Sequence, residues 1–261
     1  MRRLLQQGLI AGLAGGAALA IALAVLGEGP IGDAIALEHA GHGEAGEEMF
    51  SRGTQQGGGV VAALIFAAAV GALFAVAYGV LRPRTPAHPW RLSMGLAAVG
   101  FVAVFLVPFL KYPANPPAVG DPATITERTV LYLTLLGWSL VAAWASWRAW
   151  RRLSAPPEGR HGQRQPSLAV HLRAPAVAAL WLGLVATGWT ILPPSPDPVE
   201  VPANLLWHFR LATVAGAAAM WAVLGTAFAW LQLGVRREVV SGAGVGVGPG
   251  VAAGVDVHDR A

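Results

Sequence analysis

The sequence contains no cysteine and few charged residues. Without cysteine the chain has no disulfide, no thiolate metal site and no thiol redox pair. Charged residues make up 12% of the chain, against about 25% in soluble domains, whereas hydrophobic residues make up 55%. A soluble protein with so little charge would not cover its surface, so the composition indicates a membrane protein.

The sequence also lacks the motifs of several enzyme classes. It has no GxxxxGK[ST] loop for nucleotide hydrolysis, no HExxH metalloprotease helix and no GxSxG nucleophile turn. No apolar segment carries paired histidines that would hold haem. We therefore expect no enzymatic activity and no permanently bound cofactor. The net charge of +4 is spread over several short loops, which favours a role in membrane orientation over nucleic-acid binding.

Six apolar segments are long enough to cross a bilayer as helices. About 20 residues are needed, because the hydrocarbon core is about 30 Å thick and a helix rises about 1.5 Å per residue. The segments do not alternate apolar and polar residues as barrel strands would. The predicted fold is an all-α polytopic membrane domain over residues 1–235, with spans at about 4–26, 58–81, 92–110, 130–150, 174–192 and 205–233.

The loops between these spans alternate in charge. One set, which includes both termini, carries 14 basic and four acidic residues, whereas the other carries four basic and ten acidic residues. The net charges are +10 and −6, and five or seven spans would break this alternation. Because basic loops remain in the cytoplasm, the pattern predicts two cytoplasmic termini in a prokaryotic inner membrane. The first span is longer than the apolar core of a signal peptide, so we expect it to be retained.

The first outer loop, residues 27–57, contains the most metal-like part of the chain. Imidazole nitrogen and carboxylate oxygen suit Co²⁺, Ni²⁺ or Zn²⁺, and the neighbouring glycines would let a loop wrap around an ion. Such a site would be weak and exchangeable, which suits the mouth of a transporter. The alternative is a solvated acidic loop with two incidental histidines. The candidate ligands are Glu38, His39, His42, Glu44, Glu47 and Glu48.

The other two outer loops share the tripeptide Pro-Ala-Asn, at 113–115 and 202–204. Each is followed by a helix with an arginine near its start, Arg128 or Arg210, which indicates either a weak internal repeat or a coincidence of proline-rich turns. Ionisable groups at helix mouths are costly near a membrane, so a pathway mouth is one interpretation. An interfacial anchor formed by the last helix is the other. The predicted mouth residues are Asn115, Asn204, His208 and Arg210.

The two ends of the chain are rich in small residues. Gly8, Gly12 and Gly16 recur at four-residue spacing, which predicts a smooth helix face for close packing, although membrane helices are rich in glycine anyway.

Residues 236–261 are a glycine- and valine-rich segment without helical periodicity, which predicts a disordered cytoplasmic tail.

The proline-rich string at 107–120, Val-Pro-Phe-Leu-Lys-Tyr-Pro-Ala-Asn-Pro-Pro-Ala-Val-Gly, resembles the CbtA family of predicted cobalt transporter subunits. The glycine-rich first helix, the His/Glu loop and the segment from Pro202 to Arg210 add to the resemblance, which covers about residues 1–235. It implies a multi-pass protein involved in Co²⁺ uptake beside a small one-helix partner, CbtB. It also implies about five spans, where the charge pattern favours six, and a first loop richer in histidine than His39 and His42.

The leading hypothesis is a membrane subunit that takes up a divalent transition metal, with Co²⁺ favoured over Ni²⁺. Since no span carries a carboxylate, helices of a partner or of a second copy in a homo-oligomer would complete the path through the bilayer. The alternative is a non-transporting accessory or regulatory subunit of another permease. An intramembrane enzyme is the third hypothesis, for which the sequence shows no catalytic constellation.

Overall fold

The computed structural model describes residues 1–41, 51–117, 119–154, 170–196 and 201–244, with the backbone alone at 38–41, 170 and 235–244. Within these ranges all regular structure is helical, which confirms the predicted all-α fold. The α-helices are α1 (Arg2–Leu26), α2 (Glu28–Gly41), α3 (Arg52–Leu81), α4 (Pro89–Gly100), α5 (Val107–Lys111), α6 (Ile125–Ser154), α7 (Val170–Ile191) and α8 (Ala203–Gly244).

Six helical stretches of the described chain are long and apolar enough to cross a membrane, which confirms the predicted number. The third stretch is continuous because a π-helical segment, Phe101–Leu106, joins α4 to α5. A π-helical turn commonly marks a local interruption of regular packing, and here it precedes Pro108, which has no N–H to donate. The six stretches are Arg2–Leu26, Arg52–Arg84, Pro89–Lys111, Pro122–Ser154, His171–Ile191 and Ala203–Gly234.

Two segments are more helical than the sequence predicted. The first outer loop contains α2, which packs against α1 and α8 and buries Ala34. Tertiary contact of this kind stabilises a short helix that its glycines alone would disfavour. At the other end, α8 continues to Gly244, into the predicted tail, because neither glycine nor proline interrupts residues 235–241. Residues 245–261 lie outside the described part.

Helices α1, α3, α4 and α8, which we call the four-helix group, form the larger core. Gly8 of α1 lies against Gly71 of α3 and Gly15 lies against Met220 of α8, so α1 packs between these two helices. On the far side of α8, α4 approaches at Gly225, where an added Cβ would lie 2.6 Å from the Cβ of Ala97. Small residues therefore set the spacing of all three helix pairs.

An aromatic cluster fills the centre of this group. The ring of Phe228, which is fully buried, lies edge-to-face with Phe74 at 5.2 Å and with Tyr78 at 5.0 Å between centroids. Each such pair contributes about 0.5–1.5 kcal/mol beyond the burial of its surface. The cluster therefore joins α3 to α8 through side chains, in addition to the close backbone contacts that α1 makes with both helices.

Helices α6 and α7, which we call the hairpin, pack mainly on one another. The indole N–H of Trp138 on α6 donates to the carbonyl oxygen of Leu184 on α7 at 2.7 Å, and the ring covers Gly188. A second small core of Val107, Tyr112, Leu131 and Leu135 joins the hairpin to α5. The hairpin thus contacts the four-helix group chiefly through the π-helical segment and α5.

Candidate functional site

A cavity of about 340 Å³ lies where the hairpin meets the four-helix group, beside the first Pro-Ala-Asn turn. The guanidinium of Arg210, on the second turn of α8, donates to the carbonyl oxygen of Ala114 at 3.4 Å and to Oδ1 of Asn115 at 3.3 Å. These bonds hold the turn against α8. Asn115 and Arg210, predicted from separate loops, are therefore neighbours in the structure.

The polar side chains that line the cavity are basic, hydroxyl and amide groups, beside apolar residues such as Ile125 and Leu133. Arg128, on the first turn of α6, lines it together with Arg210, and Tyr112, Tyr132 and Ser195 also contribute to its wall. Among the described residues, no aspartate or glutamate lines it. A divalent cation about 5 Å from one guanidinium would be repelled by roughly 7 kcal/mol at an effective dielectric constant of about 20. The described lining therefore offers a metal ion no carboxylate ligand.

Tyr112 fixes the turn that forms one wall of the cavity. Its side chain is buried, and its hydroxyl donates to the carbonyl oxygen of Pro193 at 2.7 Å. Burial raises the pKa of the Tyr112 phenol above its ordinary value. The neighbouring Lys111 ammonium donates to the carbonyl oxygen of Trp189 at 2.8 Å. Both bonds connect the end of α5 to the end of α7.

The other two predicted mouth residues lie apart from this cavity. Asn204 and His208 are exposed, and neither lines the cavity. The side-chain oxygen of Asn204 accepts from the backbone N–H of Leu205 at 2.9 Å, close to the start of α8. The structure thus divides the predicted mouth into two parts. Asn115 and Arg210 lie together at the cavity, whereas Asn204 and His208 are exposed on the first two turns of α8.

The predicted metal ligands fall largely outside the described residues. Glu38 and His39 belong to α2, where only the backbone is described, and His42, Glu44, Glu47 and Glu48 lie outside the described ranges. Within those ranges no three histidine, aspartate or glutamate side chains cluster as metal ligands would.

Both flanks of this acidic segment are fixed to one another. The carboxylate of Glu28, at the start of α2, accepts from Arg52 at 2.7 Å and from Gln56 at 2.9 Å, both near the start of α3. The ion pair is about one-third exposed, so it contributes at most about 1 kcal/mol. The ion pair matters mainly for position, because it holds together the starts of α2 and α3, the helices on either side of the His/Glu segment.

The glycines of α1 lie where its backbone meets α3. A methyl group on Gly8 would overlap the carbonyl oxygen of Gly71, one on Gly12 would overlap that of Ala67, and one on Gly16 would lie 3.0 Å from that of Ala63. The matching face on α3 went unpredicted. Its signal was available, because buried small residues of α3 also recur every four positions, at Ala63, Ala67, Gly71 and Ala75.

The cavity residues Arg128, Tyr112 and Tyr132 were also missed as parts of a site. The sequence did contain one signal for them, the arginine that follows each Pro-Ala-Asn turn. No feature of the sequence indicated that α6 and α8 would bring the two arginines to one cavity.

Comparison with known proteins gives one family. A family model described as a probable cobalt transporter subunit, CbtA, matches residues 1–232, which is most of the chain. No curated protein and no solved structure matches the chain. The matched region contains all six membrane-capable helices except the last residues of α8, together with both Pro-Ala-Asn turns. This multi-pass membrane protein belongs to the CbtA family of probable cobalt transporter subunits.

Proposed function

We propose that this chain is a membrane subunit of a Co²⁺ uptake system in a prokaryotic inner membrane, with both termini in the cytoplasm. The observation that carries the proposal is the family match over residues 1–232 on a chain with six membrane-capable helices. The charge difference between the two sets of loops supports the orientation. No enzymatic role and no permanent cofactor form part of the proposal.

The first step in this proposal is capture at the acidic face. The loops of that face have a net charge of −6, which raises the local concentration of cations. His39 and His42, with the carboxylates of Glu38, Glu44, Glu47 and Glu48, would then bind the ion transiently. The Glu28–Arg52 pair supports this role because it holds together the helices that flank the segment.

The second step is transfer from the loop towards the bilayer. Asn204 and His208 are exposed at the start of α8 and supply an oxygen and a nitrogen ligand away from the cationic cavity. Asn115 and Arg210 act differently in this proposal, since Arg210 positions the turn that carries Asn115.

The third step needs more ligands than the described helices offer. Those helices hold no cluster of histidine and acidic side chains, and dehydrating Co²⁺ without ligands is very costly. We therefore propose that another subunit, such as a one-helix partner of the CbtB type, or a second copy of this chain completes the path. The membrane potential would then supply about 4.6 kcal/mol for two charges crossing 100 mV, enough for about a thousandfold accumulation.

Co²⁺ uptake into proteoliposomes tests this function. We expect uptake by the chain with its partner, increased by an imposed inside-negative potential. The double variant His39→Ala/His42→Ala and the single variant His208→Ala should each reduce uptake at low Co²⁺, whereas His171→Ala, near the opposite end of the fold, should not. Equal uptake by all variants would contradict the ligand assignment, and no uptake under any condition would contradict the transport function.

The competing function is a non-transporting accessory or regulatory subunit of another permease. It is supported by the lack of a ligand cluster among the described helices and by the small-residue faces suited to helix packing. Co²⁺ uptake by the purified chain alone would exclude it. Uptake that needs a second permease, and that is unchanged by all three histidine substitutions, would favour it.

A further inference from the structure

The last turns of α6 carry tryptophan and arginine side chains on one side of the helix, a surface that we call the Trp/Arg face. We propose that this face binds an anionic phospholipid through the phosphate of its headgroup. Side chains three and four positions apart on a helix are neighbours, so Arg148 lies beside both Arg151 and Arg152. All three arginines are exposed. The face consists of Trp144, Trp147, Arg148, Arg151 and Arg152.

Two of the arginines are positioned by the tryptophan one turn before them. The guanidinium carbon of Arg148 lies 5.5 Å from the ring centroid of Trp144, and that of Arg151 lies 5.1 Å from the ring centroid of Trp147. Such cation–π contacts are favourable even at exposed sites. A guanidinium is planar, so an aromatic ring that covers its face leaves the N–H groups at its edge free to meet phosphate oxygens.

The donors of these arginines are not used within the part of the chain that the structure describes. There Arg148, Arg151 and Arg152 make cation–π contacts at most, and no hydrogen bond or ion pair. The arginines of the loop after α3 differ, because Arg82 donates to the carbonyl oxygen of Ala87 and Arg84 to that of Val80. The Trp/Arg face therefore offers three cationic forks to an acceptor from outside the described chain.

Charge complementarity selects an anionic partner for this face. The acidic side chains that the structure describes all belong to the loops of the acidic set, and the one on α6 lies in its first turn, whereas Arg151 and Arg152 lie in its last. A zwitterionic headgroup would bring an ammonium group that the arginines repel, whereas an anionic headgroup brings net negative charge. The four described acids are Glu28, Asp33, Asp121 and Glu127.

The position of the face favours a lipid over a free anion. The stretch that contains α6 has 33 residues and is apolar enough to span, which exceeds the roughly 20 residues that a bilayer needs. Its last turns therefore reach the level of the headgroups, where tryptophan rings are commonly found. Trp144 is 57% exposed, so the acyl chain of a lipid can cover its ring while the phosphate meets the arginines.

Native mass spectrometry of the purified full chain in detergent tests this site. The ligands are a short-chain phosphatidylglycerol, the phosphatidylcholine with the same chains, and inorganic phosphate. We expect phosphatidylglycerol to bind more tightly than phosphatidylcholine, and an excess of phosphate to compete only weakly. The variant Arg148→Gln/Arg151→Gln/Arg152→Gln should weaken phosphatidylglycerol binding at least about tenfold, since each arginine near a membrane surface adds to the attraction of anionic lipid.

Two further variants separate the site from net charge and from misfolding. Arg2→Gln/Arg84→Gln/Arg91→Gln removes the same charge from other basic loops and should weaken the binding less than about twofold, because its arginines lie outside the Trp/Arg face. The triple lysine variant at positions 148, 151 and 152 keeps the charge but loses the planar fork, so it should retain part of the binding.

Four results would overturn the assignment. Equal binding of phosphatidylglycerol by the two triple glutamine variants would remove the Trp/Arg face from the site. Equal binding of phosphatidylglycerol and phosphatidylcholine would leave only apolar contact. Tight binding of inorganic phosphate, with the same dependence on the arginines, would replace the lipid with a free anion. Binding that appears only in Glu158→Gln would mean that the chain's own carboxylate, which lies outside the described residues, neutralises the arginines.

Discussion

The four-helix group and the hairpin are both built from apolar helices, yet they are held together in different ways. In the group, glycine and alanine bring backbones into contact, and 44% of the apolar stretch of α8 is buried. In the hairpin, a large side chain, Trp138, reaches across to the backbone of α7, and only 6% of the apolar stretch of that helix is buried. The four-helix group therefore depends on small residues that let backbones meet, whereas the hairpin depends on one large side chain that spans the gap between its helices.

This difference bears on the cavity, because its two arginines come from different regions. Arg210 belongs to the closely packed group, whereas Arg128 belongs to the hairpin, whose contacts beyond its own two helices are mainly with α5 and the π-helical segment. Elements with few buried contacts are the ones that move most readily. The position of Arg128 therefore depends on less extensive packing than that of Arg210.

The largest effect should follow from enlarging a glycine within the group. Gly71→Leu places a side chain against the backbone of α1, where even a Cβ would overlap the carbonyl oxygen of Gly8 and lie 2.7 Å from the Cα of Gly12. Since backbone atoms cannot rotate away, we expect a loss above about 5 kcal/mol, beyond the range typical of overpacking. Thermal unfolding in detergent would measure it. Gly183→Leu on α7, with open space around its Cβ, is the control, and equal melting temperatures would contradict the comparison.

A smaller loss should follow from truncating the aromatic cluster. Phe228→Ala removes a fully buried ring and both of its edge-to-face pairs, so the free energy of unfolding should fall by about 3–5 kcal/mol. Leu182→Ala removes a side chain that is 59% exposed on α7 and should change it by less than about 0.5 kcal/mol. Denaturant titration of both variants would measure the two losses. A larger loss for Leu182→Ala than for Phe228→Ala would contradict the prediction.

The smallest of these effects should come from the hairpin. Trp138→Phe keeps most of the ring but removes the 2.7 Å bond to Leu184, at a cost of about 0.6 kcal/mol in a membrane setting. Trp230→Phe, at a ring that is 70% exposed, should cost less. Denaturant titration of both variants in detergent would measure the difference. No difference between the two variants would mean that this bond does not hold α6 to α7.

The number and positions of the spans were predictable because hydrophobic thickness fixes helix length. Gly8, Gly12 and Gly16 were noted for the same kind of local reason, a four-residue spacing, but the matching spacing at Gly71 was missed. Helix α2 was not predicted, since its stability depends on contacts with α1 and α8 rather than on its own residues. The site was predicted only in fragments, because its parts are separated by about one hundred residues of sequence.

The sequence by itself determined that this chain is a membrane protein with six apolar helices. Composition and the length of each apolar segment can be read from the sequence without knowing how the helices pack. It also carried the charge alternation and the proline-rich string that indicate orientation and family. Only the tertiary structure decided that Arg128 and Arg210 line one cavity while Asn204 and His208 lie outside it. The reason is physical, since the residues that line a cavity depend on which helices pack side by side, and those helices are joined by contacts between residues far apart in the sequence.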